Sequence, residues 1–206
     1  MSVPADYFDE LFANSDDPWA FRTRWYEQRK RDLTLAALPR QRYERVFEPG
    51  CANGELSLRL AERCDQILCM DMSARAVELA RARLRQYPSA QVVEGCLPQD
   101  WPEGQFDLIV ISEWAYYLEP ALFIQVIKRL AASLTPDGAV LACHWLQPID
   151  GCPMQGADAH ALLNQHLPLT RTLRHEETDF VLEMWSNHTA GIDLSERVAL
   201  NAPARG

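Results

Sequence analysis

Three short stretches bring together side chains that could do chemistry. In SEWAYYLEP, Ser112 to Pro120, a carboxylate, a tryptophan and two tyrosines follow directly on FDLIVI, a run apolar enough to be buried on both faces of a sheet. VFEPGCANGELS sets Glu48, Gly50 and Gly54 between a strand and a helix, with Ala52 at the central small position. Glycine at 50 and 54 lets the backbone turn tightly and approach a ligand. The next helix points its free amides and positive dipole end the same way. QILCMD ends in Asp71, on the order of 20 positions past Gly50, where a nucleoside-binding sheet places an acid to accept ribose hydroxyls. A dinucleotide would compete for such a loop. However, the loop lacks a full G-x-G-x-x-G, and Glu48 stands where a pyrophosphate would be repelled. A cofactor with a cationic centre and no phosphate tolerates that acid.

Ligands of open α/β sheets sit outside the carboxyl ends of the strands, which is where Ser112 to Tyr117 falls. Glu113 is the candidate to orient an attacking amine, favour the charge it develops and accept its proton. The alternative is a structural acid that caps the next helix or bonds loop amides. Tyr116 and Tyr117 offer hydroxyls or an aromatic wall, one of the pair being expected in the core. Trp114 is assigned to packing. His144 and Trp145 end LACHW on the same sheet edge; His144 is read either as an auxiliary base or acceptor-binding donor, or as a ring bonded to a loop carbonyl. His160, His166, His175 and His188 show no partner pattern.

The elements that position these residues alternate. RVFEPG, QILCMD, AQVVEG, FDLIVIS and AVLACHW read as strands, separated by helical segments such as SARAVELARARLRQYP and EPALFIQVIKRLAASLTPDG, the latter stopped by Pro136 and Gly138. The alternation predicts a doubly wound, mostly parallel, Rossmann-like sheet of seven strands. LTRTLRHEETDFVLEMW reads as two strands about a Glu177-Thr178-Asp179 turn, so the sheet should end in an antiparallel hairpin. A helix ADAHALLNQHL precedes that hairpin. At the other end, apolar positions from about Phe21 to Leu38 predict a helix after SDDPW, which supplies capping residues and a first-turn proline. Residues 1–40 form an aromatic arm, 1–186 a single domain, and 187–206 a loosely ordered tail.

Composition narrows the partners. Net charge is −9, from 29 acidic against 20 basic residues, which argues against a duplex-binding surface. A small acceptor fits better. Two arginine-rich runs, around Arg22 to Arg31 and Arg75 to Arg85, read as solvated helix faces. The six cysteines have no C-x-x-C pair and no ligand-like spacing with the five histidines, so no metal site or disulfide framework is expected. No apolar run approaches the ~20 residues of a membrane span. A soluble, unprocessed chain in a reducing cytoplasm follows, with the oligomeric state left open.

Glu48-Pro49-Gly50-Cys51-Ala52-Asn53-Gly54 followed by Asp71 resembles the first two motifs of the class I S-adenosylmethionine-dependent methyltransferases. Asp17-Pro18-Trp19, Tyr26-Glu27-Gln28-Arg29-Lys30, FDLIVISEWAYYLEP and LTPDG are similar to the NodS-like group within them, over roughly residues 7 to 186. The resemblance implies S-adenosyl-L-methionine as cofactor, with Asp71 on the ribose, Met72 beside the adenine, Gly50 under the methionine half, Trp19 as a cover and Lys30 on the cofactor carboxylate. Lys30 read from its helix alone is equally an exposed charge. Glu48, Cys51, Gly54 and Ser112 complete the implied cofactor set. Cys96 replaces the acid that commonly holds the adenine amino group, so that contact falls to backbone or to Gln99. Glu113, Tyr117 and His144 are the implied catalytic residues. N-methylation of an amino sugar or similar amine is the expected reaction. Small-molecule O-methylation is the alternative, ahead of a nicotinamide-dependent oxidoreductase or a silent cofactor-binding protein.

Overall fold

The computed structural model describes residues 2–187, so the tail expected to be loose and His188 lie outside the described residues, apart from Asn187. The strands are β1 (Tyr43–Pro49), β2 (Cys64–Asp71), β3 (Ala90–Glu94), β4 (Phe106–Ser112), β5 (Leu134–Trp145), β6 (Thr170–Glu176) and β7 (Phe180–Ser186). The helices are α1 (Ala5–Asn14), α2 (Trp25–Ala36), α3 (Glu55–Ala61), α4 (Ala74–Leu84), α5 (Pro120–Ala132) and α6 (Gly156–His166), with a one-turn helix at Ala115–Tyr117. The seven strands run in the order β3-β2-β1-β4-β5-β7-β6. β1 to β5 are mutually parallel, and β7 lies antiparallel to both β5 and β6. This is the doubly wound sheet with a closing hairpin that the alternation predicts.

Each face of the sheet buries its own apolar layer. Val46, Ile67, Leu108 and Leu141 pack under α3 and α4, while Phe47, Ile109, Ile111 and Val140 pack under α5 and α6. Because chain order reverses between β1 and β4, their carboxyl ends diverge into a crevice, and Gly50 and Ser112 stand at its two lips.

Three local expectations change. α5 stops at Ala132, before Pro136, because Leu134 already pairs with Phe106 in the sheet. Ala139 then pairs with Leu108, and Thr135 to Gly138 bulge out between those two contacts. The helix expected from about Phe21 begins at Trp25 instead, since Ala20 takes a left-handed backbone (φ 55°) that no helix continues. SDDPW therefore forms a turn: the Asp17 carboxylate accepts the backbone N–H groups of Phe21 and Arg22 at 2.9 and 3.0 Å. Trp25, read as an apolar-face position, is 72% exposed. The buried positions of α2 include Glu27, Lys30 and Thr34. The side of α2 turned inward is polar because it meets the crevice.

Candidate active site

A cavity of about 470 Å³ opens at the carboxyl ends of β1, β2 and β4 and is roofed by the aromatic arm. Trp19, Lys30, Gly50, Asp71, Met72, Cys96, Ser112, Glu113 and Tyr117, all singled out in the sequence, line it. Phe12 meets the Trp19 ring edge-on at 5.7 Å and Phe21 stacks on it at 5.5 Å, giving the roof a continuous apolar surface. Asn53 fastens the roof to the glycine loop, its amide donating to Asp16 O and Asp17 Oδ1 at 3.0 and 2.9 Å.

Gly50 has φ +71°, and a Cβ there would come within 2.6 Å of the Trp114 ring, so Trp114 occupies the space a side chain would need. Asp71 ties the floor together. One of its oxygens accepts Ala52 N–H at 2.8 Å and the other accepts Ser73 N–H at 3.0 Å, and the group still borders the cavity. Burial raises its pKa despite those bonds. Beside β3, Cys96 N–H donates to Asp100 Oδ2 at 2.8 Å, while Gln99 and Leu97 join the lining.

Four residues of the predicted set do not line this cavity. Gly54 also has positive φ (+79°), but its would-be Cβ meets Ala80 at 3.1 Å; it is small so that α3 can pack on α4. Glu48 and Cys51 turn toward a crevice of about 50 Å³ that they share with Asn53 and Glu55. Burial pushes Glu48 up to about 7, against the bond from the Cys69 thiol. His144 is wholly buried. Its Nε2 accepts Ala115 N–H at 3.3 Å and its Nδ1 lies 3.0 Å from His160 Nε2, so it takes a loop amide where a loop carbonyl was the expectation. Burial, with the Lys30 charge adding to it, holds its pKa well below the ordinary histidine value. Sealed from the cavity, it cannot act as a base there.

Glu113 adopts φ +62°, uncommon for a residue with a side chain, and its carboxylate is held by polar partners. Lys30 Nζ lies 2.5 Å from Oε1, while Oε2 accepts the Tyr116 hydroxyl and Trp145 N–H, both at 2.9 Å. Lys30 also pairs with Glu27 at 3.0 Å. Burial alone would lower the Lys30 pKa; the Glu113 charge and bond, with Glu27, raise it above the ordinary lysine value. Burial and the Glu113 charge push the Tyr116 phenol well above its usual value. Lys30 thus stays an ammonium and Tyr116 stays a donor. The exposed-lysine reading is corrected, because Lys30 is 5% exposed and committed to two carboxylates.

Both readings of Glu113 meet in one geometry: it bonds a loop amide and it faces the cavity. Tyr117 packs edge-on against Phe8 at 4.9 Å, which makes Tyr116 the phenol on the carboxylate. The contributors that sequence reasoning missed are Glu27 and His160. Glu27 stands three residues before Lys30, a helical ion-pair spacing that was there to be read. Glu27, Glu113 and Asp71 against Lys30 and Arg24 leave the aromatic-walled cavity one negative charge in excess. That surface suits a cationic ligand with an apolar body and is hostile to a pyrophosphate. Among the described residues, no cluster of histidine, cysteine and carboxylate groups could hold a metal ion.

The nodulation protein S (NodS) family model matches residues 8–148. Nodulation protein S of Sinorhizobium fredii is 29% identical over 60% of this chain and 58% of its own length. The chain spans about three fifths of the length of the curated nodulation relatives it matches. A crystal structure from Pseudomonas syringae, provisionally assigned as a methyltransferase, is 55% identical and superposes with a TM-score of 0.72 over 79% of this chain and 99% of that one. N-methyltransferase NodS from Bradyrhizobium japonicum WM9, solved with S-adenosyl-L-homocysteine, is 22% identical; it superposes with a TM-score of 0.78 over 89% of this chain and 98% of that one. At that identity the likeness is one of fold.

Proposed function

The chain belongs to the NodS family, and on that premise we propose that it is an S-adenosyl-L-methionine-dependent methyltransferase that N-methylates a small amine, an amino sugar or similar polyol amine. The observation that carries the reading is the position of the Glu113 cluster: it borders the same cavity as Asp71 and the Gly50 turn. Asp71 would hold the ribose hydroxyls, Met72 and Gln99 the adenine, and the Gly50 backbone the methionine half, under the cover of Trp19. Ser112 and Cys96 would contribute backbone to the same floor and wall. Lys30, which the resemblance gives to the cofactor carboxylate, is assigned instead to Glu113 and Glu27.

When bound, the sulfonium supplies an electrophilic methyl group. Glu113, held in place by Lys30 and Tyr116, orients the acceptor's N–H and favours the positive charge that grows on nitrogen. The aromatic roof excludes water and holds the acceptor near its line of attack. Oxygen acceptors need a stronger base, and the pairing of Glu113 with His144 that would have supplied one is unavailable, since His144 is buried away from the cavity. Asp71, Glu27 and Glu113 likewise disfavour a nicotinamide dinucleotide, whose phosphates they would repel. All six cysteines are free, and no helix among the described residues is long and apolar enough to cross a membrane.

Calorimetric titration separates the cofactor classes. S-adenosyl-L-methionine should bind and NADH should not, and Asp71→Ala should weaken binding by about tenfold or more. No heat with the methionine cofactor, or no effect of Asp71→Ala, would refute the reading. An amino sugar should turn over while its N-acetylated form, lacking a nucleophilic nitrogen, should not.

A further inference from the structure

A buried chain of polar groups behind the cavity has no part in the chemistry above. Ala115 N–H donates to His144 Nε2, His144 Nδ1 lies 3.0 Å from His160 Nε2, and His160 Nδ1 lies 2.7 Å from Glu183 Oε2. The other Glu183 oxygen accepts from Arg171 at 2.7 Å and from Arg174. His144, His160 and Glu183 are 0%, 3% and 0% exposed.

One proton arrangement satisfies every contact. A backbone amide can only donate, so His144 Nε2 must be bare, and a neutral His144 then carries its proton on Nδ1. That proton points at His160 Nε2, which must be bare in turn, and His160 Nδ1–H donates to the carboxylate. An extra proton on either ring would set two donors face to face. Burial disfavours the Glu183 charge, yet the bonds from His160 and Arg174 outweigh it and hold its pKa below the usual glutamate value. The other ionisable groups facing His144 are Lys30 from α2 and Tyr116 from the one-turn helix.

The His144 end of this relay meets the surroundings of Glu113 twice. Ala115 opens the one-turn helix that carries Tyr116, the hydroxyl donor to Glu113. Trp145, whose N–H holds the same carboxylate oxygen, is the residue after His144. α6 is built to reach this point: a Cβ on Gly156 would come within 2.1 Å of Trp145 O and 3.0 Å of His144 Cβ. Only glycine lets the first turn of α6 abut the end of β5, and His160 follows one turn later on the same face.

We propose that His144, His160 and Glu183 are positioning residues of the methyl-transfer site: their fixed tautomers anchor the Ala115 amide and so set the Glu113 carboxylate and the Tyr116 hydroxyl for the acceptor. The catalytic consequence rests on the function proposed above; the tautomer lock does not.

Nitrogen-15 NMR of the whole chain tests the lock directly. Both rings should keep a bare Nε2 and a protonated Nδ1 from about pH 8 to about pH 5.5, where a free histidine is largely charged. A protonated Nε2 on either ring would overturn the proposal regardless of any rate. His160→Phe should lower kcat for the amine roughly 10- to 100-fold, with S-adenosylhomocysteine affinity within about twofold of wild type. His160→Gln, whose amide can both accept from His144 and donate to Glu183, should recover most of that loss. Losses in His160→Phe that merely track its folded fraction, with kcat per folded molecule unchanged, would reduce the chain to a packing role and overturn the proposal. Failure of the wild-type chain to bind S-adenosylhomocysteine would refute the cofactor reading instead, and the tautomers would still decide the lock.

Discussion

Lys30 decides the chemistry of the site at the scale of single residues, because it neutralises one of two buried carboxylates and leaves the other in excess. Its side chain is 7% exposed, against 9% for Glu27 and 15% for Glu113. Removing one partner of such a cluster costs more than the cluster contributes, since the remaining charges keep their desolvation penalty. Lys30→Met should therefore lower stability by about 3–5 kcal/mol in urea denaturation. It should also lower kcat for the amine, because Glu113 loses the ammonium that holds its Oε1. Glu27→Gln keeps the Lys30 to Glu113 pair and should cost clearly less on both measures; equal effects of the two substitutions would show that Glu113 does not depend on Lys30. Glu113 was legible in the sequence because a carboxylate directly after a buried strand has few other reasons to be there. Its partner was not. Lys30 lies 83 positions away, and its helix carries neighbouring charges that do face solvent.

At the scale of elements, hydrophobic patterning found what water organises and missed what ions organise. The strands and the closing hairpin, with its turn at Glu177 to Asp179, follow from apolar runs and turn residues. α2 does not, because three of its four buried positions, Glu27, Lys30 and Thr34, are polar and only Leu35 is apolar. α6 shows the same limit: its helix was readable, but the role of its first residue was not, since close approach to Trp145 O is a property of two distant segments. Gly156→Ala tests that role. The added methyl must push α6 away from β5, which overpacking data put at about 1–3 kcal/mol of stability. The displacement should also stretch the His144 to His160 contact and lower kcat more than cofactor affinity. The comparison is Gly151→Ala, where φ is positive (+81°) but a Cβ would meet nothing within 4 Å. There only backbone strain should register, as a small loss of stability with kcat intact. Equal kcat losses at the two positions would mean that the α6 contact does not reach the site.

Across the whole molecule, two of the buried groups with shifted pKa values push the pH dependence of folding in opposite directions. His144 is held neutral below the ordinary value of 6.5. Below about pH 6.5 the unfolded chain takes up a proton the native state refuses, so this group destabilises the fold as pH falls. Glu48 is raised from 4.5 to about 7. Between those values the native state holds a proton that the unfolded chain has released, so this group removes stability as pH rises and adds no further change above about pH 7. Just below about pH 6.5 the two contributions oppose each other, so wild-type stability masks both. Glu48→Gln exposes them, because glutamine fills nearly the same volume and cannot ionise. The stability of Glu48→Gln minus that of wild type should climb from about pH 4.5 to about pH 7 by about 3 kcal/mol, then level off. Every other titrating group is common to the two proteins and cancels in the difference. Urea unfolding at a series of pH values reads the quantity directly, and a difference that stays flat across this range would mean that Glu48 is ionised in the native core.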